Sequence, residues 1–141
     1  DFATFTVEST EEWPIVPLGD ERKEADGAKY WNIASPLGLG IQVFDGQISS
    51  LSLERPIIEG NINWRGALVL QQAGVNGGSS GSALISKEQH AIVGFLVGTI
   101  GGSTIVGVPV SRFKAVLKMY ADGKYKWHQP KVEIAIPEVE Q

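Results

Sequence analysis

The chain has 141 residues, of which 43% are hydrophobic, and its 16 acidic and 12 basic side chains give a formal net charge of −4. This composition is typical of a single globular domain and argues against a disordered chain and against a general nucleic-acid binder. The absence of cysteine excludes disulfides, thiolate metal sites and a cysteine nucleophile. The longest apolar stretch, Ala91 to Val97, is too short to cross a bilayer, so we expect a soluble protein without a membrane partner.

Most of the chain consists of short runs rich in β-formers, interrupted by glycine, proline or turn residues, which is typical of β-strands. Asp1 to Val7 is the first predicted strand, and residues 9–28 form an acidic connector whose apolar side chains we expect to pack on the body. The Asp45-Gly46 pair predicts a hairpin turn, and residues 55–65 predict a loop. The remaining predicted strands are Lys29 to Ala34, Ile41 to Phe44, Gln47 to Leu53, Ala67 to Gln71, Ser82 to Ser86, Ala91 to Val97 and Ser103 to Val110.

One helix follows the last of these strands, from about Ser111 to Ala121. Its apolar residues recur at helical spacing, and Ser111 is a plausible N-cap, with Gly123 at the position after the helix. Several short strands with tight turns and one terminal helix predict an all-β barrel or sandwich.

The segment Asn76 to Leu84 is the most informative part of the sequence, because small residues crowd the positions just before an apolar strand. A nucleophilic serine needs such surroundings: its hydroxyl must be accessible, and nearby backbone N–H groups must converge on the developing oxyanion. Ser80 is the candidate nucleophile, and the N–H groups of Gly78 and Ser80 are the candidate oxyanion donors. A flexible Gly/Ser turn without catalytic function is the alternative interpretation of the same residues.

Six motifs in the same order carry a resemblance to a known family. They are Asp1-Phe-Ala-Thr-Phe5, Trp31-Asn-Ile-Ala-Ser-Pro-Leu-Gly38, Phe44-Asp-Gly-Gln-Ile-Ser49, Gly78 to Leu84, Ile92 to Gly98, and Val106 to Ser111. With them the chain resembles the C-terminal part of trypsin-like (chymotrypsin-fold) serine proteases, and more closely the cysteine-free HtrA-like and viral or phage-borne members. The resemblance implies a six-stranded antiparallel Greek-key barrel from about Lys29 to Val110, closed by the terminal helix. It covers residues 1 to about 121.

The resemblance also implies roles for individual residues. Ser80 falls on the nucleophile and Asp1 on the triad acid, which orients the histidine. Substrate-binding positions follow: Val97 and Thr99 would pair with an extended polypeptide substrate, Gly74 would form the base of the specificity pocket, and Gly107 would form its opposite wall. An uncharged pocket base predicts cleavage after a small or apolar residue, and the family implies neither a cofactor nor a metal.

The chain departs from the family at the triad histidine, which precedes the aspartate in these proteases and would therefore lie upstream of Asp1. We expect His90 and His128 to be ordinary surface residues. Residues 1–8 would be the last strand of an otherwise absent N-terminal barrel, residues 29–121 the C-terminal barrel with its helix, and residues 122–141 a tail of unknown role. A missing N-terminal segment or a partner chain is thus expected to complete the fold, and the chain alone should be nearly inert.

Three functions remain open at this point. The first is a serine endopeptidase whose histidine lies upstream. The second is a catalytically inactive protease-fold module used for binding or structure, for example in a virion. The third is an unrelated β-barrel binding protein with a coincidental Gly/Ser loop.

Overall fold

The structure is a computed structural model that describes residues 8–55, 57–60 and 62–124. Asp1 to Val7, His128 and most of the tail lie outside these residues. The elements are β1 (Lys29–Ala34), β2 (Gln42–Ser50), β3 (Ile58–Glu59), β4 (Ile62–Asn63), β5 (Leu68–Gln72), β6 (Ala83–Ser86), β7 (Ile92–Ile100), β8 (Thr104–Pro109) and α1 (Val110–Ala121). Within the described part of the chain, no helix is long and apolar enough to cross a membrane.

Six of the strands close into a barrel in the order β1-β2-β5-β8-β7-β6. Every neighbouring pair in this barrel is antiparallel. The order runs through β5 and β8 before it returns by β7 and β6, which makes the connectivity a Greek key. The predicted six-stranded antiparallel barrel with a C-terminal helix is therefore confirmed.

Alternation along the strands places one apolar face inside the barrel. The fully buried side chains at the centre of this core are Tyr30, Ile48, Leu68, Leu84, Val93 and Leu96. A second buried cluster, formed by Trp64, Ala67, Ile100 and Val106, lies beside it. These two clusters stabilise the barrel that carries the candidate site.

The predicted hairpin turn at Asp45-Gly46 is wrong, because both residues lie inside the continuous strand β2. Gly46 pairs with Tyr30 of β1, and a Cβ at Gly46 would lie 2.3 Å from the Tyr30 ring. The glycine therefore makes room for an aromatic side chain and does not form a turn. The reversal between β1 and β2 occurs earlier, through a short 3-10 turn at Pro36–Gly38.

Two smaller predictions also need correction, the loop at residues 55–65 and the N-cap of the helix. The predicted loop at residues 55–65 contains a two-stranded hairpin, β3 with β4. The helix begins at Val110, and the side chain of Ser111 does not cap it. The cap comes from the connector, where Glu21 Oε2 accepts a hydrogen bond from Ser111 N–H at 3.1 Å. A cap from residues so distant in sequence leaves no local signal.

The connector is attached differently from the prediction. Its apolar side chains remain exposed: Trp13, Ile15, Val16 and Leu18. Backbone hydrogen bonds attach it instead, with Ile92 N–H donating to Pro17 O and Gly19 N–H donating to Ile92 O, each at 2.8 Å. These two backbone hydrogen bonds fasten the connector to β7, and side-chain hydrogen bonds such as the one between Glu21 and Ser111 add to the attachment.

Candidate active site

The Gly/Ser loop between β5 and β6 consists of two consecutive tight turns. Ser79 N–H donates to Asn76 O at 2.9 Å and closes the first turn, and Ser82 N–H donates to Ser79 O at 3.2 Å and closes the second. The third residue of each turn is a glycine with a positive φ, Gly78 at +94° and Gly81 at +84°. This left-handed backbone favours glycine, so the sequence dictates the shape of the loop.

Ser80 lies at the top of the second turn and is exposed to solvent. Its hydroxyl donates a hydrogen bond to Val97 O on β7 at 2.7 Å. Among the described residues, neither the Gly78 N–H nor the Ser80 N–H donates a hydrogen bond to another group. Two unpaired N–H groups on either side of a buried serine, Ser79, are the kind of donors that an oxyanion requires.

Contacts with the β1–β2 connection hold the first turn in place. Leu37 N–H donates to Gly77 O at 2.7 Å. A Cβ at Gly78 would lie 2.7 Å from Ser35 O, which leaves no space for any side chain at this position. The Ser35-Pro36-Leu37 turn therefore packs directly against the candidate nucleophile loop.

Among the described residues, no strand pairs with the edge of β7 beside Ser80, where Val97 O accepts the Ser80 hydroxyl; this edge is called open below. The register of β6 with β7 ends at the pair Ala83 and Phe95, and Leu96 bonds the loop through Gly81 N–H and Ser82 O. Beyond Leu96, within the described residues, β7 pairs only with β8. Val97 and Thr99 lie on this open stretch, and Thr99 is exposed.

The two glycines assigned to the specificity pocket lie in different surroundings. Gly74 has a φ of +77°, and a Cβ there would lie 2.4 Å from the ring of Phe44. Gly107 is buried on β8, and a Cβ there would contact Leu70 and Leu84 in the barrel interior. At both positions glycine is required by a close neighbour.

The remaining site residues are not brought together by the described part of the chain. Asp1 lies outside it. His90 is exposed in the β6–β7 turn, where its N–H donates to Ser86 O, at the end of this hairpin opposite to Ser80. Within residues 8–55, 57–60 and 62–124, no group of three or more histidine or carboxylate side chains could hold a metal ion. Four surface cavities with volumes between 440 and 680 Å³ are lined by other residues than Ser80.

A buried chain of polar side chains beneath the loop was missed by the sequence analysis. Tyr30 OH donates to Gln72 Oε1, and Gln72 Nε2 donates to Asn32 Oδ1, both at 3.0 Å. Asn32 Nδ2 donates to Ser82 Oγ at 2.7 Å, and Ser82 Oγ donates to Ser79 O at 2.6 Å. The signal was present, because Asn32 follows Tyr30 by two residues on the inward face of a strand, where an apolar residue is usual.

The barrel order, the closing helix and the loop that carries Ser80 define the C-terminal barrel of the chymotrypsin fold. Solved structures with this fold match the chain over most of its length. A serine-to-alanine variant of the HtrA-type protease AlgW with a decapeptide superposes over 93% of this chain with a TM-score of 0.69 and 19% sequence identity. The HtrA-type protease AlgW with a tripeptide superposes over 83% with a TM-score of 0.66 and 20% identity.

These likenesses are structural, and this chain spans about two fifths of each AlgW chain, 41% and 39%. No protein-family model matches the sequence. No curated protein matches it either. The chain thus shares the fold of HtrA-type serine proteases.

Proposed function

We propose that the chain is the C-terminal barrel of a serine endopeptidase and that Ser80 is its nucleophile. The observation that carries this proposal is the geometry of one loop. An exposed Ser80 hydroxyl stands beside two N–H groups, of Gly78 and Ser80, that have no partner among the described residues. Small residues around the hydroxyl leave room for a substrate carbonyl, and the likeness to HtrA-type protease structures supports the same assignment.

In the proposed reaction Ser80 Oγ attacks the scissile carbonyl carbon while its proton passes to a histidine imidazole. The oxyanion that forms is stabilised by the N–H groups of Gly78 and Ser80. The imidazolium then protonates the leaving amine, the C–N bond breaks, and water hydrolyses the resulting acyl-enzyme with the same histidine as base. Asp1 would orient this histidine, which we place in a segment preceding Asp1.

The open edge of β7 is the proposed substrate-binding strand. An extended peptide would add to it by backbone hydrogen bonds at Val97 and Thr99. The AlgW structures contain a decapeptide and a tripeptide, and a polypeptide substrate is the corresponding proposal here. With glycine at positions 74 and 107, no charged side chain is available at the proposed pocket, so a small or apolar residue before the scissile bond fits best.

An exposed apolar surface supports the proposal that a further segment packs beside the nucleophile loop. Ile33 of β1 pairs with Val43 of β2, and the connection between them adds more apolar side chains. The exposed members of this surface are Ile33, Leu37, Leu39, Ile41 and Val43. Covering it would remove apolar area from water, which favours association with the N-terminal barrel or with a partner chain.

One observation favours a second candidate function, an inactive protease-fold module for binding or structure. The Ser80 hydroxyl proton is donated to a backbone carbonyl, Val97 O, and the described histidine, His90, lies at the far end of the β6–β7 hairpin. A serine without a base is a poor nucleophile near neutral pH. In this alternative the open edge of β7 would still bind an extended peptide, but no bond would be cleaved.

Labelling with a fluorophosphonate distinguishes the two functions, because this reagent reacts with an activated serine. We expect no labelling of the 141-residue chain and clear labelling of a longer natural chain that includes the residues encoded before Asp1. Ser80→Ala should abolish the labelling, whereas Ser103→Ala, a control at an exposed serine in the β7–β8 turn, should retain it. A folded longer chain that is neither labelled nor proteolytic would exclude the endopeptidase and leave the binding module.

A further inference from the structure

We propose that Ser82 and Asn32 are positioning residues that fix the direction of the Ser80 N–H, one of the two oxyanion donors. This inference rests on the proposed function, because a donor needs aiming only if an oxyanion forms there. It concerns two side chains that contact neither the nucleophile hydroxyl nor the open edge of β7. Asn32 is fully buried in the barrel, and Ser82 is half-buried at its rim.

The first step is the geometry of a peptide unit. The Ser79 carbonyl and the Ser80 N–H belong to the same planar, trans peptide group, so they point in opposite directions. Whatever holds the Ser79 carbonyl oxygen therefore also aims the Ser80 N–H. Two groups hold it, and both belong to Ser82: the hydroxyl at 2.6 Å and the backbone N–H at 3.2 Å.

The second step is the direction of the Ser82 hydroxyl. A serine hydroxyl has one hydrogen to donate, and two bonds determine where it goes. Asn32 Nδ2 donates to Ser82 Oγ at 2.7 Å, so the oxygen lone pairs face the amide and the hydrogen remains for Ser79 O. If Asn32 did not donate, the hydroxyl could rotate toward another acceptor.

The third step is the direction of the Asn32 amide. Its nitrogen has a second acceptor, Ala83 O at 3.0 Å, and its oxygen accepts from Gln72 Nε2. Gln72 Oε1 in turn accepts from Tyr30 OH. In this series of hydrogen bonds each side chain donates to the next group, from Tyr30 in the barrel core to the Ser79 carbonyl in the loop.

The other oxyanion donor is aimed in a similar way by the main chain. Gly77 O accepts from Leu37 N–H at 2.7 Å, and the Gly78 N–H belongs to the same peptide unit as that carbonyl. The two donors thus depend on two different supports. Only the support of Ser80 includes side-chain bonds, and only those bonds can be removed by a conservative substitution.

A comparison with glycine at position 82 shows what the Ser82 side chain contributes. Glycine would keep the backbone bond to Ser79 O but would lose the shorter hydroxyl bond. It would also leave the buried amide of Asn32 with one acceptor fewer, which is costly inside a protein. Ser82 and Asn32 are therefore expected to function as a pair.

The test compares Ser82→Ala with the control Ser86→Ala. Ser86 is a buried serine at the last position of β6, the strand that Ser82 precedes, and its hydroxyl accepts hydrogen bonds from Glu88 and Gln89 N–H. The first readout is the NMR shift of the Ser79 carbonyl carbon and of the Ser80 amide in the 141-residue chain. The second is the fluorophosphonate labelling rate of Ser80 in the longer natural chain.

Both resonances should move in Ser82→Ala and remain in place in Ser86→Ala. Ser82→Thr, which keeps the hydroxyl, should restore them. Asn32→Ala should move the same resonances, but it should add little in the Ser82→Ala background, because the two residues act through one bond. The labelling rate should fall on the order of 10- to 100-fold in Ser82→Ala, since small displacements of catalytic groups have effects of this size.

The failures of this inference and of the proposed function differ. Unmoved Ser79 and Ser80 resonances in Ser82→Ala, or equal labelling rates in Ser82→Ala and Ser86→Ala, would overturn the positioning role and leave the endopeptidase standing. A wild-type longer chain that is not labelled would instead remove the endopeptidase. In that case, shifted Ser79 and Ser80 resonances in Ser82→Ala would still establish the series of hydrogen bonds. The series would then have no role in stabilising an oxyanion.

Discussion

The carboxylate of Glu21 accepts a hydrogen bond from the backbone N–H of Ser111 at 3.1 Å, although 90 residues separate the two in the chain. This bond satisfies an N–H group in the first turn of α1, where the helix offers no internal acceptor. It also places a buried carboxylate at the positive end of the helix dipole. The connector that precedes the barrel thus stabilises the helix that closes it.

We expect Glu21→Ala to lower the free energy of unfolding by about 1–2 kcal/mol, the usual effect of losing an N-terminal cap and its charge. Glu21→Gln keeps an oxygen acceptor and should cost less. Denaturant unfolding followed by circular dichroism measures both. Glu88→Gln, at an exposed glutamate in the β6–β7 turn, is the control and should leave the stability unchanged. A Glu21→Ala variant as stable as wild type would mean that another group caps α1.

Gly46→Ala should destabilise the barrel, because the added Cβ would lie 2.3 Å from the Tyr30 ring in the fully packed core. Overpacking of this kind costs about 1–3 kcal/mol. Gly98→Ala is a matched control within β7, since no atom lies within 4 Å of its Cβ position. Thermal unfolding of the two variants should separate them clearly, and equal melting temperatures would contradict the close packing of Gly46 on Tyr30.

Gly78→Ala and Gly77→Ala form a second matched pair in the candidate nucleophile loop. Gly78 has a φ of +94° and no room for a Cβ against Ser35 O, whereas Gly77 has open space at this position. We expect Gly78→Ala to reorient one oxyanion donor and to slow the labelling of Ser80 by about 100-fold in the longer chain. Gly77→Ala should label at nearly the wild-type rate. Comparable rates in the two variants would argue against Gly78 as a donor.

Tyr30 predicts a pH dependence of stability. Burial raises the pKa of its phenol above the ordinary value of 10.0, so the folded protein keeps the phenol protonated where the unfolded chain ionises. The contribution to stability is complete below pH 10 and is lost as the pH rises above it. Unfolding free energies measured between pH 8 and 11 should therefore fall more steeply for wild type than for Tyr30→Phe. Parallel curves would show that Tyr30 ionises equally in both states.

The sequence predicted the barrel and the position of the glycine-rich loop between β5 and β6 well, because both depend on local signals. Positive-φ glycines at positions 78 and 81 and alternating strands need no distant partner to be recognised. The errors concern residues whose role depends on a neighbour far away in the chain. The Asp45-Gly46 pair is typical of a hairpin turn, but Gly46 lies inside a strand and makes room for the Tyr30 ring. Ser111 is a typical N-cap residue, but Glu21 provides the cap. The side chains of Asn32 and Ser82 likewise meet only after the barrel closes.

The stretch of β7 beyond Leu96, proposed above to bind a peptide, also bears on aggregation. A strand with one unsatisfied edge accepts any extended segment, including the same strand of another molecule, and such edges promote aggregation. Here the exposed stretch is short, and a register shift between Leu96 and Gly98 bends it out of the regular ladder. A short, bent edge is therefore expected to promote aggregation less than a long, flat one.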